Sequence, residues 1–75
     1  MIEKKDLQIA IGKRIRMLRE QQGYSQQDFA NECGIEKSNY HRIESGRINP
    51  SIYTLLRVAH HLNITLSELV AIHVE

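Results

Sequence analysis

One predicted helix, between residues 36 and 44, carries polar side chains that could form hydrogen bonds with a molecule outside the protein. Tyr40 and Ile43 lie three positions apart and therefore share the inner face of that helix. The outer face carries Lys37, Ser38, Asn39, His41 and Arg42. A lysine can donate to guanine N7 and O6, whereas a serine hydroxyl donates or accepts and so favours no particular base. A helix of this width fits the DNA major groove, although a merely solvated helix face would show the same residues.

The histidines and the cysteine do not indicate metal or catalytic chemistry. His60 and His61 are adjacent, so on a helix their side chains point about 100° apart and cannot chelate one metal ion together. His41 and His73 stand at no metal-ligand spacing from Cys33 or from each other. The sequence also lacks a glycine-rich phosphate loop and a nucleophile–base arrangement. It therefore predicts a protein that is not an enzyme, has no metal site and needs no cofactor.

The length and the charge distribution limit the size of the domain and indicate which partners it could bind. The 75 residues suffice for one domain with a modest core, which would gain from oligomerisation. The formal net charge is only +1, but it is unevenly spread. Residues 1–22 hold six basic and three acidic residues, whereas residues 58–75 hold only Glu68 and Glu75 as formal charges. This polarity favours one face for DNA and another for a partner protein.

Cysteine usage and hydropathy predict a cytoplasmic protein. Cys33 is the single cysteine, so it cannot form an internal disulfide, and we expect a small, partly buried apolar residue there. No apolar run approaches the roughly 20 residues that span a membrane. The first residues lack the charged, apolar and cleavage regions of a signal peptide. A reducing compartment fits these features.

Two short helices joined by a glycine turn are predicted at the centre of the chain, about residues 25–45. Ser25 begins a capping box for the first of them. Gly34 can adopt the left-handed conformation of a tight turn, and Ala30 leaves room for the second helix to cross closely. Glu36 stands where a better N-cap is expected, so we predict a weakly capped second helix. The pattern as a whole predicts a helix-turn-helix.

Capping signals and apolar spacing place the remaining elements. The predicted helices span about 6–22, 26–33, 36–44, 51–62 and 65–72. Asp6 is the expected N-cap of the first helix and Gly23 its end; Ser51 caps the fourth helix, and Thr65 with Glu68 forms a capping box for the fifth. The buried faces are predicted to be Leu7, Ile11, Ile15 and Leu18 on the first helix and Ile52, Leu55, Val58, Ala59 and Leu62 on the fourth. No strand pattern is evident, so the expected fold class is all-α.

Four short runs carry a resemblance to a known family. They are Ile15-Arg16-Met17-Leu18-Arg19-Glu20, Ser25-Gln26, Ile43-Glu44-Ser45-Gly46 and Pro50-Ser51. In order and spacing they resemble the Cro/C1-type (XRE) helix-turn-helix regulators, from about Ile11 to Leu69. The resemblance implies a five-helix, lambda-repressor-like DNA-binding domain that occupies residues 1–75, with the fifth helix, about 65–72, as the dimer element. In size and layout the chain is similar to stand-alone restriction–modification controllers.

The resemblance also implies roles for particular residues. Bases would be read by Lys37 and Ser38, with Asn39 and Arg42 as weaker candidates. Phosphates would be bound by Gln26, Arg47, Asn49, Ser51 and Tyr53, although Tyr53 has a surface role as its alternative. The phosphate role of Gln26 has a physical basis, because helix N-termini favour anions. Arg19 and Glu44 look like the family's ion pair between the first and third helices.

These roles combine into a transcriptional regulator of the repressor type that acts as a homodimer on a pseudo-palindromic operator. Leu66, Val70 and Ile72, with Val74, would form the dimer interface, while the alternative for Leu66 and Leu69 is that they cover the monomer's own core. RNA polymerase is a possible partner of the bound dimer. Two other functions stay open: an antitoxin that pairs the same domain with a toxin, and a protein-interaction module that has lost DNA binding.

Overall fold

The computed structural model describes residues 2–72, which form five α-helices and no β-strand. In chain order the helices are α1 (Lys4–Gln21), α2 (Gln26–Cys33), α3 (Lys37–Glu44), α4 (Ile52–His61) and α5 (Leu66–Leu69). α3 packs against α1 and α2, and α4 packs against α2 and α5. The predicted all-α fold with a central helix-turn-helix, formed by α2, the turn at Gly34 and α3, is confirmed.

Local capping explains most helix starts. The Ser25 hydroxyl accepts the N–H of Asp28 at 3.0 Å, and Ser51 accepts the N–H of Thr54 at 3.1 Å. Thr65 and Glu68 form both bonds of the predicted capping box at α5. Gly34 ends α2 with a φ of +67°, a left-handed conformation in which glycine is unstrained. Satisfying these free backbone groups fixes where each short helix begins or ends.

Three boundary predictions need correction. Glu3 is the N-cap of α1, so Asp6 lies inside the first turn, where its charge suits the helix dipole. α3 is not weakly capped, because the Glu36 carboxylate reaches the N–H of Ser38 at 2.9 Å. α5 ends at Leu69 rather than near residue 72, since Val70 already leaves the helical conformation. Residues 73–75, among them the proposed contact Val74, lie outside the described part of the chain.

The core is built from all five helices. Its fully buried large side chains are Tyr40, Phe29, Ile15, Leu62, Leu69 and Val58. An aromatic cluster forms its centre, with ring centroids 5.2 Å apart for Tyr24 and Phe29 and 5.6 Å apart for Phe29 and Tyr40. Tilted and edge-to-face ring contacts of this kind add to the free energy of burial. The core thereby holds α2 and α3 together on the inner side of the helix-turn-helix.

The prediction that Ile52 belongs to the core is wrong, because its side chain is 74% exposed. At about 100° per residue, Ile52 lies roughly 70° around α4 from the centre of the buried face formed by Leu55, Val58, Ala59 and Leu62. This angle alone does not expose it; no neighbouring element within residues 2–72 covers this flank of the first turn of α4, and Leu56, one turn further on, is exposed too. Cys33, which is expected to be partly buried, is almost fully buried, and burial raises the pKa of its thiol to about 11.

Gly12 permits the close crossing of α1 and the end of α3. A Cβ atom built on Gly12 would lie 2.4 Å from the carbonyl oxygen of Glu44 and 2.6 Å from that of Ile43. Only a residue without a side chain therefore fits between the two backbones. This contact brings the last turn of α3 directly against α1, and it sets the distance between these two helices.

None of the helices within residues 2–72 is long and apolar enough to cross a membrane. Across the same stretch, no three side chains of the His, Cys, Asp or Glu types come together in a group that could hold a metal ion.

Candidate nucleic-acid interface

The outer face of α3 is exposed while its inner face is locked in place. Tyr40, Ile43 and Glu44 are buried, whereas the polar residues predicted for the outer face are all exposed: Lys37, Ser38, Asn39, His41 and Arg42. The inner and outer faces predicted from the sequence are thus confirmed. The exposed face forms a rigid surface, since the helix behind it is anchored in the core.

Glu44 anchors α3 to the two preceding helices. Arg19 donates to both carboxylate oxygens, from Nε at 2.6 Å and from Nη2 at 3.1 Å. Gln26 Nε2 donates to Oε1 at 2.9 Å, and the Tyr40 hydroxyl donates to Oε2. The expected ion pair between Arg19 and Glu44 is therefore present, buried and bidentate.

Burial by itself would raise the pKa of Glu44. The hydrogen bonds from Arg19, Gln26 and Tyr40 outweigh that effect and hold the pKa of the carboxyl below its ordinary value. Glu44 is consequently ionised at neutral pH. An ionised carboxylate only accepts hydrogen bonds, so each of its three partners must turn a donor toward it.

Lys37 and Ser38, the two foremost candidates for base reading, both stand at the start of α3. The Lys37 ammonium lies 3.5 Å from the side-chain oxygen of Gln27, a loose contact that leaves it free for other acceptors. The Ser38 hydroxyl donates to the Glu36 carboxylate, and this bond is the main reason why the pKa of Glu36 is lowered. With its proton engaged, the Ser38 oxygen is left as an acceptor toward a ligand.

Apart from Tyr53, the predicted contacts fall on two adjacent surfaces. The first, which we call the α3 surface, is a shallow concave region lined by Gln26, Glu36, Lys37, Ser38, His41, Arg42 and Arg47. The second, the α4 groove, lies between the end of α2 and the start of α4 and is lined by Asn39, Asn49, Ser51, Thr54 and Arg57 among others. Arg42 Nη1 donates to Asn39 Oδ1 at 3.1 Å and so links the two.

Several predicted phosphate contacts already have partners within the protein. The Ser51 hydroxyl caps α4 and donates to Thr54 Oγ1 at 3.0 Å. The amide of Gln26 bonds Glu44. Tyr53 is exposed, and the Arg57 guanidinium lies over its ring, 5.6 Å from the centroid. Arg47, the one cation of the loop after α3, is exposed.

The predicted dimer residues differ in exposure. Val70 is 38% exposed, while Leu66 and Ile72 are partly buried and pack against the core. Ile52 and Leu56 add a second exposed apolar patch on the outer side of α4.

Two structural residues were missed by sequence reasoning. Gly12 is one; its signal was a glycine inside a helical pattern, which implies close packing. Arg57 is the other: its guanidinium donates to the carbonyl oxygens of Cys33 and Gly34, the latter at 3.1 Å, and so holds the turn of the helix-turn-helix. Those carbonyls lie more than twenty positions away in sequence, and no local pattern reveals such a contact.

A model of the helix-turn-helix family HTH_3 matches residues 15–69, a stretch that includes α2, α3 and the whole Glu44 network. The chain belongs to this family. Control protein C.MunI of a Mycoplasma species is 37% identical over 65 residues, which cover 85% of this chain and 88% of the relative. The transcriptional regulator SlrR of Bacillus subtilis is 42% identical over 60 residues, which cover 79% of this chain and 40% of SlrR.

A solved structure gives the same result. The restriction-modification controller protein C.AhdI from Aeromonas hydrophila matches with a TM-score of 0.80 and 36% identity, over 85% of this chain and 96% of C.AhdI. The expected resemblance to Cro/C1-type regulators is therefore confirmed. As a helix-turn-helix family member the chain is a DNA-binding protein of the transcription-regulator type and not an enzyme, as predicted.

Proposed function

We propose that this chain is a sequence-specific regulator of transcription that binds double-stranded DNA as a homodimer, with α3 in the major groove. The observation that carries the proposal is the fixed presentation of α3. A buried network at Glu44 holds the helix from behind, and its front exposes Lys37, Arg42 and, just beyond it, Arg47. Rigid placement of a donor-rich helix is what reading base edges requires.

Within this mechanism, phosphate contacts position the protein and base contacts supply the specificity. Lys37 and Ser38 would read bases, with Asn39 and Arg42 as secondary contacts, and Arg47 and Asn49 would contact phosphates beside α3. The N-terminus of α2 at Gln26 adds backbone N–H groups that favour a phosphate. Ser51 and Tyr53 complete the proposed phosphate contacts at the start of α4.

The names of two similar proteins narrow the proposal further. C.MunI is called a control protein, and C.AhdI is called a restriction-modification controller. We infer that this chain has the same type of role, as a small cytoplasmic regulator whose own concentration decides how far its operator is occupied. Occupancy would then block or recruit RNA polymerase.

Selection from a library of random double-stranded DNA tests the DNA-binding part. We expect the wild-type chain to enrich a pseudo-palindromic motif whose half-sites are centred about 34 Å, one helical turn, apart. Binding to that motif should resist competitor DNA and weaken as the salt concentration rises. Salt-sensitive binding without any enriched motif would contradict sequence-specific recognition. A complete lack of binding at low salt would favour the protein-interaction module instead.

The proposed dimer rests on Val70, which is exposed and lies in the same C-terminal stretch as the partly buried Leu66 and Ile72. Sedimentation equilibrium of Val70→Asp should give a monomer where the wild type gives a dimer, because a charge at that surface cannot be desolvated cheaply. Leu56→Asp is the matched control on the outer side of α4. A dimer that survives Val70→Asp but not Leu56→Asp would move the interface to α4.

A further inference from the structure

The side chain of Gln26 connects the buried carboxylate of Glu44 with the exposed imidazole of His41. Its Nε2 atom lies 2.9 Å from Glu44 Oε1, and its Oε1 atom lies 3.3 Å from His41 Nδ1. The orientation of the amide follows from chemistry, because an ionised carboxylate accepts only and therefore requires the NH₂ group of Gln26. The oxygen of Gln26 must then point toward His41.

This orientation decides which ring nitrogen of His41 carries the proton. An amide oxygen can only accept, so His41 Nδ1 must be the donor in the contact with Gln26. In the neutral imidazole the other nitrogen, Nε2, is then an acceptor. A reversed amide would place oxygen against the Glu44 carboxylate, and the opposite tautomer would place two acceptors against each other at His41.

His41 stands where its free nitrogen can meet a ligand. It is exposed, lies one helical turn after Lys37, and shares the α3 surface with Lys37, Ser38 and Arg47. Its neighbours on that surface include the donors Lys37, Arg42 and Arg47, whereas acceptors are offered by Ser38 and by the Glu36 carboxylate. His41 would add an uncharged acceptor to a surface on which three cations donate.

We propose that His41 is a further DNA-contacting residue, and that Gln26 fixes its tautomer so that Nε2 accepts a hydrogen bond from a base amino group. In the major groove such groups are adenine N6 and cytosine N4, so the contact would favour an adenine or a cytosine at one position of each half-site. This inference rests on the proposed function. Gln26 is then a positioning residue for base reading as well as a neighbour of the phosphates.

The tautomer can be measured without DNA. Long-range ¹H–¹⁵N NMR spectra at about pH 8.5, where imidazole rings are neutral, should show the proton of His41 on Nδ1. Gln26→Leu removes the acceptor for Nδ1, and we expect its His41 to lose the preference for that tautomer. His60, an exposed residue of α4, provides an internal reference. A wild-type His41 with its proton on Nε2 would overturn the inference.

Binding measurements test the contact itself, on the motif selected by the wild-type chain. His41→Ala should weaken binding to that motif about tenfold and leave binding to random DNA unchanged, as the loss of a base contact does. His41→Gln, whose amide oxygen reaches the place of Nε2, should restore part of the affinity, and His41→Arg, a pure donor, should not.

The outcomes separate this inference from the proposed function. A wild-type chain that selects no motif contradicts the proposed function, whatever the tautomer of His41. If the wild type selects a motif and His41→Ala binds it equally well, the proposed function stands and the inference fails. If His41→Ala lost the same affinity for the motif and for random DNA, and His41→Arg restored that affinity, His41 would contact a phosphate. That result would also overturn base reading by His41.

Discussion

The Glu44 carboxylate accepts hydrogen bonds from three helices. The donors are Arg19 of α1, Gln26 of α2 and Tyr40 of α3 itself. Two long side chains are thereby held behind the exposed face of α3. A buried charge is costly unless every lone pair is engaged, and here three donors supply four hydrogen bonds. We therefore expect Glu44, which lies behind the exposed face of α3, to tolerate substitution poorly.

The Arg19–Glu44 pair can be tested by a double-mutant cycle. Arg19→Met and Glu44→Gln should each lower the free energy of unfolding by about 3–5 kcal/mol, since each leaves buried polar groups without their partner. The double variant should lose less than the sum of the two, because neither buried charge then remains. Urea denaturation monitored by circular dichroism measures all four proteins. Strictly additive losses would show that the two side chains do not interact.

Lys37 and Arg47 should differ in the kind of binding that they support. Lys37→Ala is expected to weaken binding to the specific motif by roughly 1–3 kcal/mol and binding to random DNA far less, because a base contact is lost. Arg47→Ala should weaken both similarly and reduce the slope of log K against log salt by about one, because a phosphate contact is lost. Fluorescence anisotropy titrations at several salt concentrations measure both effects.

Each of these two variants is the control for the other, since both remove one exposed cation from the α3 surface. An equal loss on specific and random DNA for Lys37→Ala would remove it from the base-reading residues.

At the scale of elements, the spacing of α1 and α3 depends on the missing side chain of Gly12. Gly12→Ala would bring a methyl group into the backbone of Ile43 and Glu44, which cannot move aside without shifting the end of α3. We expect the free energy of unfolding to fall by about 2 kcal/mol or more, because overpacking outweighs the better helix propensity of alanine. Urea denaturation gives the loss, and anisotropy should show weaker binding to the selected DNA.

Gly23→Ala is a suitable control for that substitution. Gly23 has a φ of +80° and no atom near the site of a Cβ, so alanine would meet only backbone strain of about 1 kcal/mol. We expect its DNA binding to stay close to that of the wild type. Equal changes in the free energy of unfolding and in DNA binding for the two variants would mean that the close crossing of α1 and α3 contributes little to either.

The elements also show which features a sequence can reveal. Ser25, Ser51 and the Thr65–Glu68 pair act within three residues of themselves, so their caps were predictable from spacing alone. The inner face of α3 followed from helical periodicity for the same reason. The exposure of Ile52 could not be predicted in this way, because periodicity gives the angle of a residue around α4 but not whether a neighbouring element covers it. Glu36 was misjudged because its longer side chain still reaches the backbone N–H of Ser38.

The candidate site was less predictable than the fold. The exposed residues of α3 could be named from the sequence, whereas their hydrogen-bond partners within the protein could not. The contact of Gln26 with His41 spans 15 positions and that of Arg57 with Cys33 spans 24, and both exist only because α2 crosses α3 and α4. The resemblance to a family located the Arg19–Glu44 pair, which spacing within one helix could never have shown.

For the whole molecule, the carboxylates predict how stability depends on pH. The pKa of Glu44 is lowered by its three donors despite burial, and the pKa values of the exposed Glu36 and Glu68 are lowered by bonds from Ser38 and Thr65. In the unfolded chain these groups titrate near their ordinary value of 4.5. Their stabilisation is therefore present above about pH 4.5 and is lost as the pH falls through the lower values of the folded state.

We accordingly expect the free energy of unfolding to vary little between about pH 7 and pH 5.5 and to decline progressively below about pH 4.5. Urea denaturation at a series of pH values measures this dependence. Glu44→Gln should be less stable at neutral pH but should lose less stability on acidification, because an amide, unlike a carboxylate, is not protonated in this pH range. Since Glu36 and Glu68 remain, part of the decline should persist in that variant. An equally steep decline in Glu44→Gln and wild type would place the acid sensitivity of the fold in its exposed helix caps rather than in the buried carboxylate that joins α1, α2 and α3.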